Sequence, residues 1–402
     1  RDKHGSKSLF YSSQKDFHLF ANAARYLTYY EPFITTPNWN GVWNNLGFPA
    51  PPQPLTVYEG VQAIPRGCIG KIHGNSITID RYYSIPNYEP ENWTGDEAAR
   101  YIDQAMRKSV ARRTKGQQKV GAPISGGVDS PYLSAIASEF IPQMDVFTFS
   151  LRSERFSAMN EHERAALTAE RYQLNHHIKQ YTLQDLTNDL KEIIPLYDQI
   201  GIGFAPYYYV IKEAFKNGNH TLLSGLAADE SHGGFHYFKF IPLWQAMHWA
   251  KPITNLLPDT WGPKWYDLKN MLATSNISDY YTQAFSTIQD REKQELFRLP
   301  ETYNSFQSIR QYYDDGRNFS DDVRGLLYYM FSNVPNHHLY RFEQFANHFG
   351  IKIRHPFLDD DVIDIAFRVP SHLKVKGANR KVALKLAAAP YLPKISLSNK
   401  KL

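Results

Sequence analysis

The stretch Ser125–Ser130, SGGVDS, follows an apolar run that ends at Ile124 and precedes a segment of helical character. Its two adjacent glycines, Gly126 and Gly127, let the backbone approach an anion without a Cβ in the way. Amide donors at the start of the following helix point toward phosphate oxygens, and serine hydroxyls at both ends of the stretch add further donors. An ordinary glycine turn is the alternative, but this combination recurs rarely by chance. We therefore interpret the stretch as a phosphate-binding loop.

Segments of strand-like and helix-like pattern alternate around this loop. The strand-like segments 119–125, 145–151 and 220–225 are separated by helix-like segments that include 131–140 and 161–172. Upstream, the run 97–113 repeats apolar residues every four positions, which suits one helix face: Ala98, Ile102, Met106 and Val110. Such alternation predicts an α/β fold, a parallel sheet with helices on both faces.

Residues 1–90 show a different pattern, with short alternating segments broken by the proline-rich stretch Pro49–Pro54. Short segments with apolar residues at every second position are typical of strands. At 402 residues the chain also exceeds what one hydrophobic core usually supports. We predict two domains: the end of a β-rich domain with a linker at 1–90, and a catalytic α/β domain at 91–402.

Composition argues against several classes of protein. The net charge of +5 is spread along the chain, which argues against a nucleic-acid partner. No apolar run approaches the roughly 18 residues needed to span a bilayer, so no membrane association is expected. The lone cysteine, Cys68, excludes an internal disulfide framework and a multi-cysteine zinc site. These features favour the cytoplasm as the location of the chain.

Four ordered motifs give the chain a resemblance to a known family. SGGVDS is similar to the pyrophosphate loop of the N-type ATP pyrophosphatases, which cleave ATP between the α and β phosphates. Within that group, Leu223–Glu230 and Arg354–Asp359 resemble the second motif and the RVPFLD segment of asparagine synthetases. Lys381, Lys385 and the later YLP resemble that family's C-terminal pattern, and the first residues resemble the end of its glutaminase domain. The resemblance implies an adenine nucleotide alpha hydrolase-like domain, preceded by the C-terminal part of a glutaminase-like domain.

The resemblance also implies roles for individual residues, with ATP and Mg²⁺ as cofactors. Asp129 and Asp229 match the family's Mg²⁺ ligands, although helix capping is the alternative for both. A C-terminal lysine of the family stabilises the charge that develops when a carboxylate attacks the α-phosphorus. Lys400 is the candidate here, Lys401 is its alternative, and Lys381 is a further phosphate or substrate ligand. The residues implied to hold ATP and its pyrophosphate are Ser125, Gly126, Gly127, Asp129, Ser130, Phe149, Ser224 and Gly225.

Several departures separate the chain from an ordinary asparagine synthetase. Leu226 stands where those enzymes usually carry a glutamate tied to their amine-handling half-reaction, and leucine accepts no proton. Ala227 replaces a glycine, and Ser398 falls near the position of a family arginine. The stretch 340–346, YRFEQFA, is more similar to lasso-peptide macrolactam synthetases, which join a peptide's N-terminal amine to an Asp or Glu side chain.

From these resemblances we predict an AMP-forming carbon–nitrogen ligase, which adenylates a carboxylate, releases pyrophosphate and transfers the acyl group to an amine donor. A lasso-peptide macrolactam synthetase is the specialised form that we expect, with a precursor peptide and its leader-processing enzyme as partners. A divergent glutamine-dependent asparagine synthetase is one alternative, and a non-catalytic nucleotide-binding homologue is another. Whether the chain forms a homo-oligomer stays open.

Overall fold

The computed structural model describes residues 1–30, 36–152, 161–199, 205–247, 263–297 and 303–398. Within these ranges no helix is both long enough and apolar enough to cross a lipid bilayer. The chain divides into two compact units. The first contains Arg1–Asn87, Asp198–Gly201 and Phe235–His337, and the second contains Tyr88–Tyr197, Ile202–Gly234 and His338–Leu402.

Strands and helices are numbered here in chain order. The strands are β1 (Phe10–Ser13), β2 (His18–Ala21), β3 (Gln62–Ala63), β4 (Cys68–His73), β5 (Ser76–Arg81), β6 (Lys119–Pro123), β7 (Gln143–Leu151), β8 (Asn175–Tyr181), β9 (Thr221–Leu223), β10 (Lys352–Arg354), β11 (Val375–Lys376) and β12 (Asn379–Arg380). The α-helices are α1 (Ala24–Thr28), α2 (Trp39–Gly47), α3 (Gly95–Thr114), α4 (Asp129–Ala137), α5 (His162–Arg171), α6 (Leu183–Tyr197), α7 (Ala205–Lys216), α8 (Ala228–His232), α9 (Ile241–Met247), α10 (Pro263–Ala273), α11 (Ile277–Phe285), α12 (Asp290–Leu296), α13 (Ser305–Tyr313), α14 (Asp322–His348), α15 (Asp360–Arg368), α16 (Ser371–Lys374) and α17 (Val382–Ala388). Short 3-10 helices lie at His236–Phe240, Pro356–Leu358 and Lys394–Leu397.

The first unit begins with short antiparallel strands. β1 pairs with β2 on one side and β3 on the other, while β4 and β5 form a hairpin. The hairpin turns through Gly74, whose φ of 57° lies in the left-handed region that glycine adopts without strain. Tyr11, Ile64 and Cys68 form a small buried cluster. Short strands were predicted in this region, and the structure contains them together with α1 and α2.

The second unit is built on a five-stranded parallel sheet with the order β10-β9-β6-β7-β8. The three central residues of β6 are buried in succession, and most residues of β7 are buried, which is the pattern of strands covered on both faces. Helices connect the successive strands β6, β7 and β8, as parallel pairing requires. The predicted α/β class, a parallel sheet flanked by helices, is confirmed.

Helix α3 buries the face that the four-residue spacing of apolar residues predicted. Its start is fixed by Thr94 and Glu97, which exchange side-chain-to-backbone hydrogen bonds in a capping box. Ala98, Ile102 and Val110 are buried, as the spacing predicted. Helix α3 contacts α4, α15 and α17, so it ties the segment before the phosphate loop to the C-terminal part of the second unit.

The compact units cut the chain differently from the predicted domains. The opening segment of the first unit ends at Asn87, close to the predicted boundary at residue 90. Phe235–His337, however, clusters with that segment and not with the rest of 91–402. A compact unit and a domain of common descent are different things, so the division at residue 90 and the glutaminase-like origin of 1–90 stay predictions.

Candidate active site

The strand order of the second unit fixes where a ligand would bind. The chain passes from β6 to β7 and β8 on one side, and β9 then adds on the other side of β6. At such a switch point, the loops leaving the carboxyl ends of neighbouring strands diverge, and ligands of open α/β sheets bind there. The loop after β6 is Ser125–Ser130, and the loop after β9 begins at Ser224. A Cβ on Gly225 would lie 3.4 Å from the Ser130 nitrogen, so the two predicted motifs meet.

The loop Ser125–Ser130 is shaped by hydrogen bonds to its own serines. The Ser125 amide donates to Ser130 Oγ at 3.0 Å, and the Gly127 amide donates to Ser125 Oγ at 3.2 Å. The Gly126 amide donates at 3.1 Å to a carboxylate oxygen, Oε2 of Glu161. An anionic oxygen therefore already lies on a loop whose sequence predicts phosphate binding. Glu161 carries no motif in the sequence, and its part in the site was not predicted.

The acidic residues of the two motifs converge on one cation. Lys381 Nζ lies 2.5 Å from Asp129 Oδ2 and 2.6 Å from Asp229 Oδ1, and its side chain is 11% exposed. Burial alone would lower the pKa of Lys381, but the two carboxylates outweigh burial and raise the pKa above its ordinary value. Lys381 also has a φ of 55°, in the left-handed region that costs a non-glycine residue free energy. The ammonium group is therefore charged at neutral pH and is held at the start of α17 by a strained backbone.

Gly234 makes room for this cluster. A Cβ at residue 234 would lie 1.7 Å from Asp229 Oδ1 and 2.2 Å from Lys381 Cε, so no larger residue fits without moving them. The Gly234 carbonyl accepts a hydrogen bond from Arg380 Nη1 at 2.6 Å, which links it to the segment that carries Lys381. Gly233 and Gly234 follow the second motif, Leu223–Glu230, in the sequence, but only the packing assigns Gly234 this role.

The donor set of the cluster suits Mg²⁺. Magnesium prefers a few carboxylates together with phosphate oxygens over a cage made only of protein ligands. The carboxylates of Asp129 and Asp229 converge on the Lys381 ammonium, which stands in for a metal ion between them. Across the residues that the structure describes, no group of three or more His, Cys, Asp and Glu side chains is placed to hold a metal by itself. The residues therefore fit a metal bound together with a polyphosphate.

A buried acid lies directly beside the second predicted metal ligand. Glu230 is 2% exposed, and burial, followed by the nearby Asp229 carboxylate, raises the pKa of Glu230 to about 8. His338 Nδ1 lies 3.9 Å from Glu230 Oε1. Burial lowers the pKa of His338 to about 4, with the Arg341 cation acting in the same direction. Both side chains are therefore predominantly neutral at pH 7, and their contact is not an ion pair. Neither residue was predicted to belong to the site.

The family resemblance matches Phe149, Ser224 and Gly225 to residues that hold the adenine of ATP. Phe149 lies near the carboxyl end of β7, and the other two directly follow β9. Phe149 stacks on Tyr181 with ring centroids 5.7 Å apart and planes 14° apart, within the aromatic core of this unit. Ser224 Oγ accepts a hydrogen bond from the Leu226 amide at 3.2 Å. Leu226 itself packs against the same aromatic core, so apolar contact occupies the position where a glutamate was expected from the family.

The two lysines predicted at the C-terminus cannot be located relative to the site. Lys400 and Lys401 lie outside the residues that the structure describes, so their roles stay predictions. Ser398, the last described residue, is exposed. Of the three lysines predicted to act in catalysis, Lys381 is the one that the structure places, and it contacts both predicted metal ligands.

Comparison with known proteins agrees with this geometry. The family model for asparagine synthase matches residues 101–402. Glutamine-hydrolyzing asparagine synthetase 1 of Bacillus subtilis is 24% identical over 416 residues, which cover 100% of this chain and 64% of that protein. Asparagine synthetase 3 of the same bacterium is 21% identical over 424 residues, which cover 100% and 63%. The chain thus spans less than two thirds of these relatives. Among solved structures, NMN synthetase from Francisella tularensis matches with a TM-score of 0.27 and 12% identity over 61% of this chain and 97% of that one, a score too low to carry weight.

Proposed function

The chain belongs to the asparagine synthase family, and on that premise we propose that it is an ATP-dependent ligase that adenylates a carboxylate and transfers the acyl group to an amine. The observation that carries the proposal is the Lys381 ammonium held between Asp129 and Asp229. Two carboxylates converging on one cation, next to a glycine-containing loop of amide donors, form a site for a metal-bound polyphosphate.

Each part of this cluster has a task in the proposed reaction. Asp129 and Asp229 would hold Mg²⁺, which neutralises charge on the departing pyrophosphate when bound. The amides of Gly126 and Gly127 would bind pyrophosphate oxygens, together with the hydroxyls of the loop serines. Lys381, released from the two carboxylates, would pair with phosphate oxygens as a charge-assisted donor. Phe149, Ser224 and Gly225 are proposed to hold the adenine.

The products of ATP cleavage test this assignment. Incubation with ATP, Mg²⁺ and a carboxylate substrate should release AMP and pyrophosphate, measured by chromatography of labelled nucleotide. Asp129→Asn and Asp229→Asn should each lower the rate by about two or more orders of magnitude, since a lost metal contact removes several kcal/mol of charge stabilisation. Asp189→Asn is the matched control, because Asp189 pairs with Lys212 elsewhere in the same unit. Release of ADP and phosphate by a homogeneous sample would contradict the proposal.

Variants of the C-terminal lysines distinguish an effect on the adenylation rate from an effect on ATP affinity. Lys400→Ala should depress the rate of adenylation far more than the affinity for ATP, because its proposed partner charge develops in the transition state. Lys401→Ala should have the milder effect. Single-turnover rates and ATP dissociation constants measured on both variants decide the point, and two variants that behave like wild type would rule out both lysines.

For the amine, we propose a larger substrate with a peptide N-terminus, as in a lasso-peptide macrolactam synthetase. The support is Leu226, which packs on the aromatic core and supplies no carboxylate for ammonia-dependent chemistry. A tethered amine beside the adenylate gains from proximity, which contributes roughly 7–11 kcal/mol in favourable cases and reduces the need for a dedicated base. The proposed partners are a precursor peptide and its leader-processing enzyme, in the cytoplasm.

Intact-mass analysis distinguishes a macrolactam synthetase from an asparagine synthetase and from a non-catalytic homologue. One reaction contains aspartate and ammonia, and a parallel reaction contains a peptide with a free N-terminus and an internal Asp or Glu. The macrolactam proposal expects loss of one water from the peptide and little asparagine. Efficient asparagine formation without peptide dehydration would instead support a divergent asparagine synthetase, and ATP binding without either product would support a non-catalytic homologue.

A further inference from the structure

The first unit contains a cavity of about 120 Å³ that the ligase chemistry does not use. Its lining includes the cations Arg66 and Arg81, the acid Asp314 and the aromatic rings of Tyr83 and Tyr313. All of its lining residues belong to this one unit. For scale, a dry engineered cavity of about 150 Å³ is large enough to take up benzene. The space therefore suits a ligand of a few heavy atoms, or the end group of a longer one.

Arg66 is the unusual member of this lining. The residue is 8% exposed, and its guanidinium lies 4.8 Å from the ring centroid of Phe331. It donates to the Phe331 carbonyl at 2.6 Å and makes a long contact of 3.5 Å with Ser332 Oγ. Throughout the described ranges, no carboxylate forms an ion pair with Arg66. Burial lowers the pKa of Arg66 to about 10, the nearby tyrosines counteract it only partly, and the Arg81 cation lowers it further.

Arg317, another arginine of the same cavity, has a carboxylate that neutralises its charge. Arg317 Nε lies 2.8 Å from Asp315 Oδ1, and Arg317 Nη1 donates to the Ile85 carbonyl at 2.8 Å. Arg81, by contrast, is exposed at the cavity, and its side chain makes no hydrogen bond or ion pair within the part of the chain that the structure describes. Of the three arginines that line the cavity, Arg317 therefore has its own counter-ion, and Arg66 and Arg81 have none among the described residues.

We propose that this cavity binds the carboxylate of a small organic acid, with Arg66 as the buried cation and Arg81 as a second cation at the cavity wall. A buried charge without a partner is costly, and an anion supplied from solution removes that cost. Arginine presents five donors in a planar fork, of which the two contacts to the protein leave several for a ligand. A planar carboxylate matches this fork in a bidentate manner. Asp314 in the lining disfavours a dianion such as phosphate.

Calorimetric titration of the 402-residue chain tests this site. Sodium acetate, sodium propionate and sodium phosphate are titrated at equal ionic strength, with sodium chloride as the reference. The expected result is saturable binding of acetate or propionate, both monoanions, at one site per chain, with at most a weak response to phosphate. A response to the carboxylates no larger than that to chloride would overturn the site, and saturable binding of phosphate alone would overturn the ligand class.

Variants place the binding in this cavity. Arg66→Gln should abolish carboxylate binding, and Arg81→Gln should weaken it by about tenfold, which corresponds to one lost charge-assisted contact. Because Arg81 is exposed, Arg81→Gln should fold normally, so it still tests the site if Arg66→Gln fails to fold. Arg291→Gln is the control, an exposed arginine of the same unit that does not line the cavity. Lys381→Gln should leave this binding unchanged, whereas loss of binding there would assign the carboxylate to the ligase site and overturn the proposal.

Discussion

The surroundings of two buried cations, one in each unit, shift their pKa values in opposite directions. Lys381 lies between Asp129 and Asp229, and its pKa is raised. Arg66 has no carboxylate partner among the described residues, and its pKa is lowered by burial. Both side chains are largely withdrawn from water, so burial alone does not set their electrostatic state. The nearby anions decide it.

The difference indicates how each region would take a ligand. In the second unit the protein supplies both the carboxylates and the Lys381 cation, and Glu161 places a carboxylate oxygen on the predicted phosphate loop. A metal–polyphosphate complex would replace both in an exchange of like charges, because the resting site already holds a charge of each sign where that complex is proposed to bind. In the first unit no described carboxylate pairs with Arg66, so the proposed ligand would supply the anion itself.

The largest expected effect is on stability when each cation is removed. Lys381→Met should lower the free energy of unfolding by about 3 kcal/mol, because it leaves two carboxylates uncompensated, one of them partly exposed. Arg66→Met should change it by about 1 kcal/mol or less, since loss of the Phe331 carbonyl contact is offset by relief of an unpaired buried charge. Urea denaturation measures both. Equal losses would show that the two cations do not differ as described.

The next effect is a pH dependence carried by Lys385, a neighbour of Lys381. Burial, followed by the Lys381 and Arg380 cations, lowers the pKa of Lys385 from 10.5 to about 8. Between these values the folded chain holds fewer protons than the unfolded chain, so stability should rise with pH through that window. Because Lys385 is partly exposed, we expect about 1–2 kcal/mol across the window.

Lys385→Met tests this window directly. The variant should show a flatter stability profile between about pH 8 and 10 than the wild type, measured by urea denaturation at each pH. Lys352→Met is the matched control, because Lys352 is an exposed lysine on β10 of the same unit. An unchanged slope in Lys385→Met would mean that neither burial nor the neighbouring cations lower the pKa of Lys385 in the folded chain.

A smaller effect concerns the anion that the protein places on the phosphate loop. Glu161→Gln should tighten binding of Mg-ATP by about three- to tenfold, because a charge-assisted competitor for the Gly126 amide is lost. Glu163→Gln, an exposed change in the adjoining helix, should leave the dissociation constant unchanged. Calorimetric titration compares the two variants, and weaker binding in Glu161→Gln would show that Glu161 supports the loop and does not compete with phosphate.

The smallest effect tests the second loop. Ala227 has a φ of 76° at the start of α8, a conformation that costs alanine roughly 1–2 kcal/mol. Ala227→Gly relieves this strain while losing one buried methyl group, so stability should stay within about 0.5 kcal/mol of wild type. Ala228→Gly, at the next residue and also buried, has no strain to relieve and should lose about 1–2 kcal/mol. Thermal unfolding of both variants checks the contrast, and similar losses would remove strain as the explanation.

The sequence predicted the framework well, because the decisive signals are local. Strand and helix periods around SGGVDS predicted the parallel sheet that is observed, and the four-residue spacing in α3 predicted its buried face. The two acidic motifs were expected to act together, and the strand order places them on neighbouring strands.

The sequence by itself therefore determined the α/β class, the position of the phosphate loop and the family, since each depends on residues close together in the chain. Tertiary structure alone decided which charges meet. Lys381 and Asp129 are 252 positions apart, and Gly126 and Glu161 are 35 apart. The need for glycine at residue 234 and the lack of a counter-ion at Arg66 likewise exist only after packing. The physical reason is that burial and the distance between charges are properties of the folded chain, to which residues remote in sequence contribute equally.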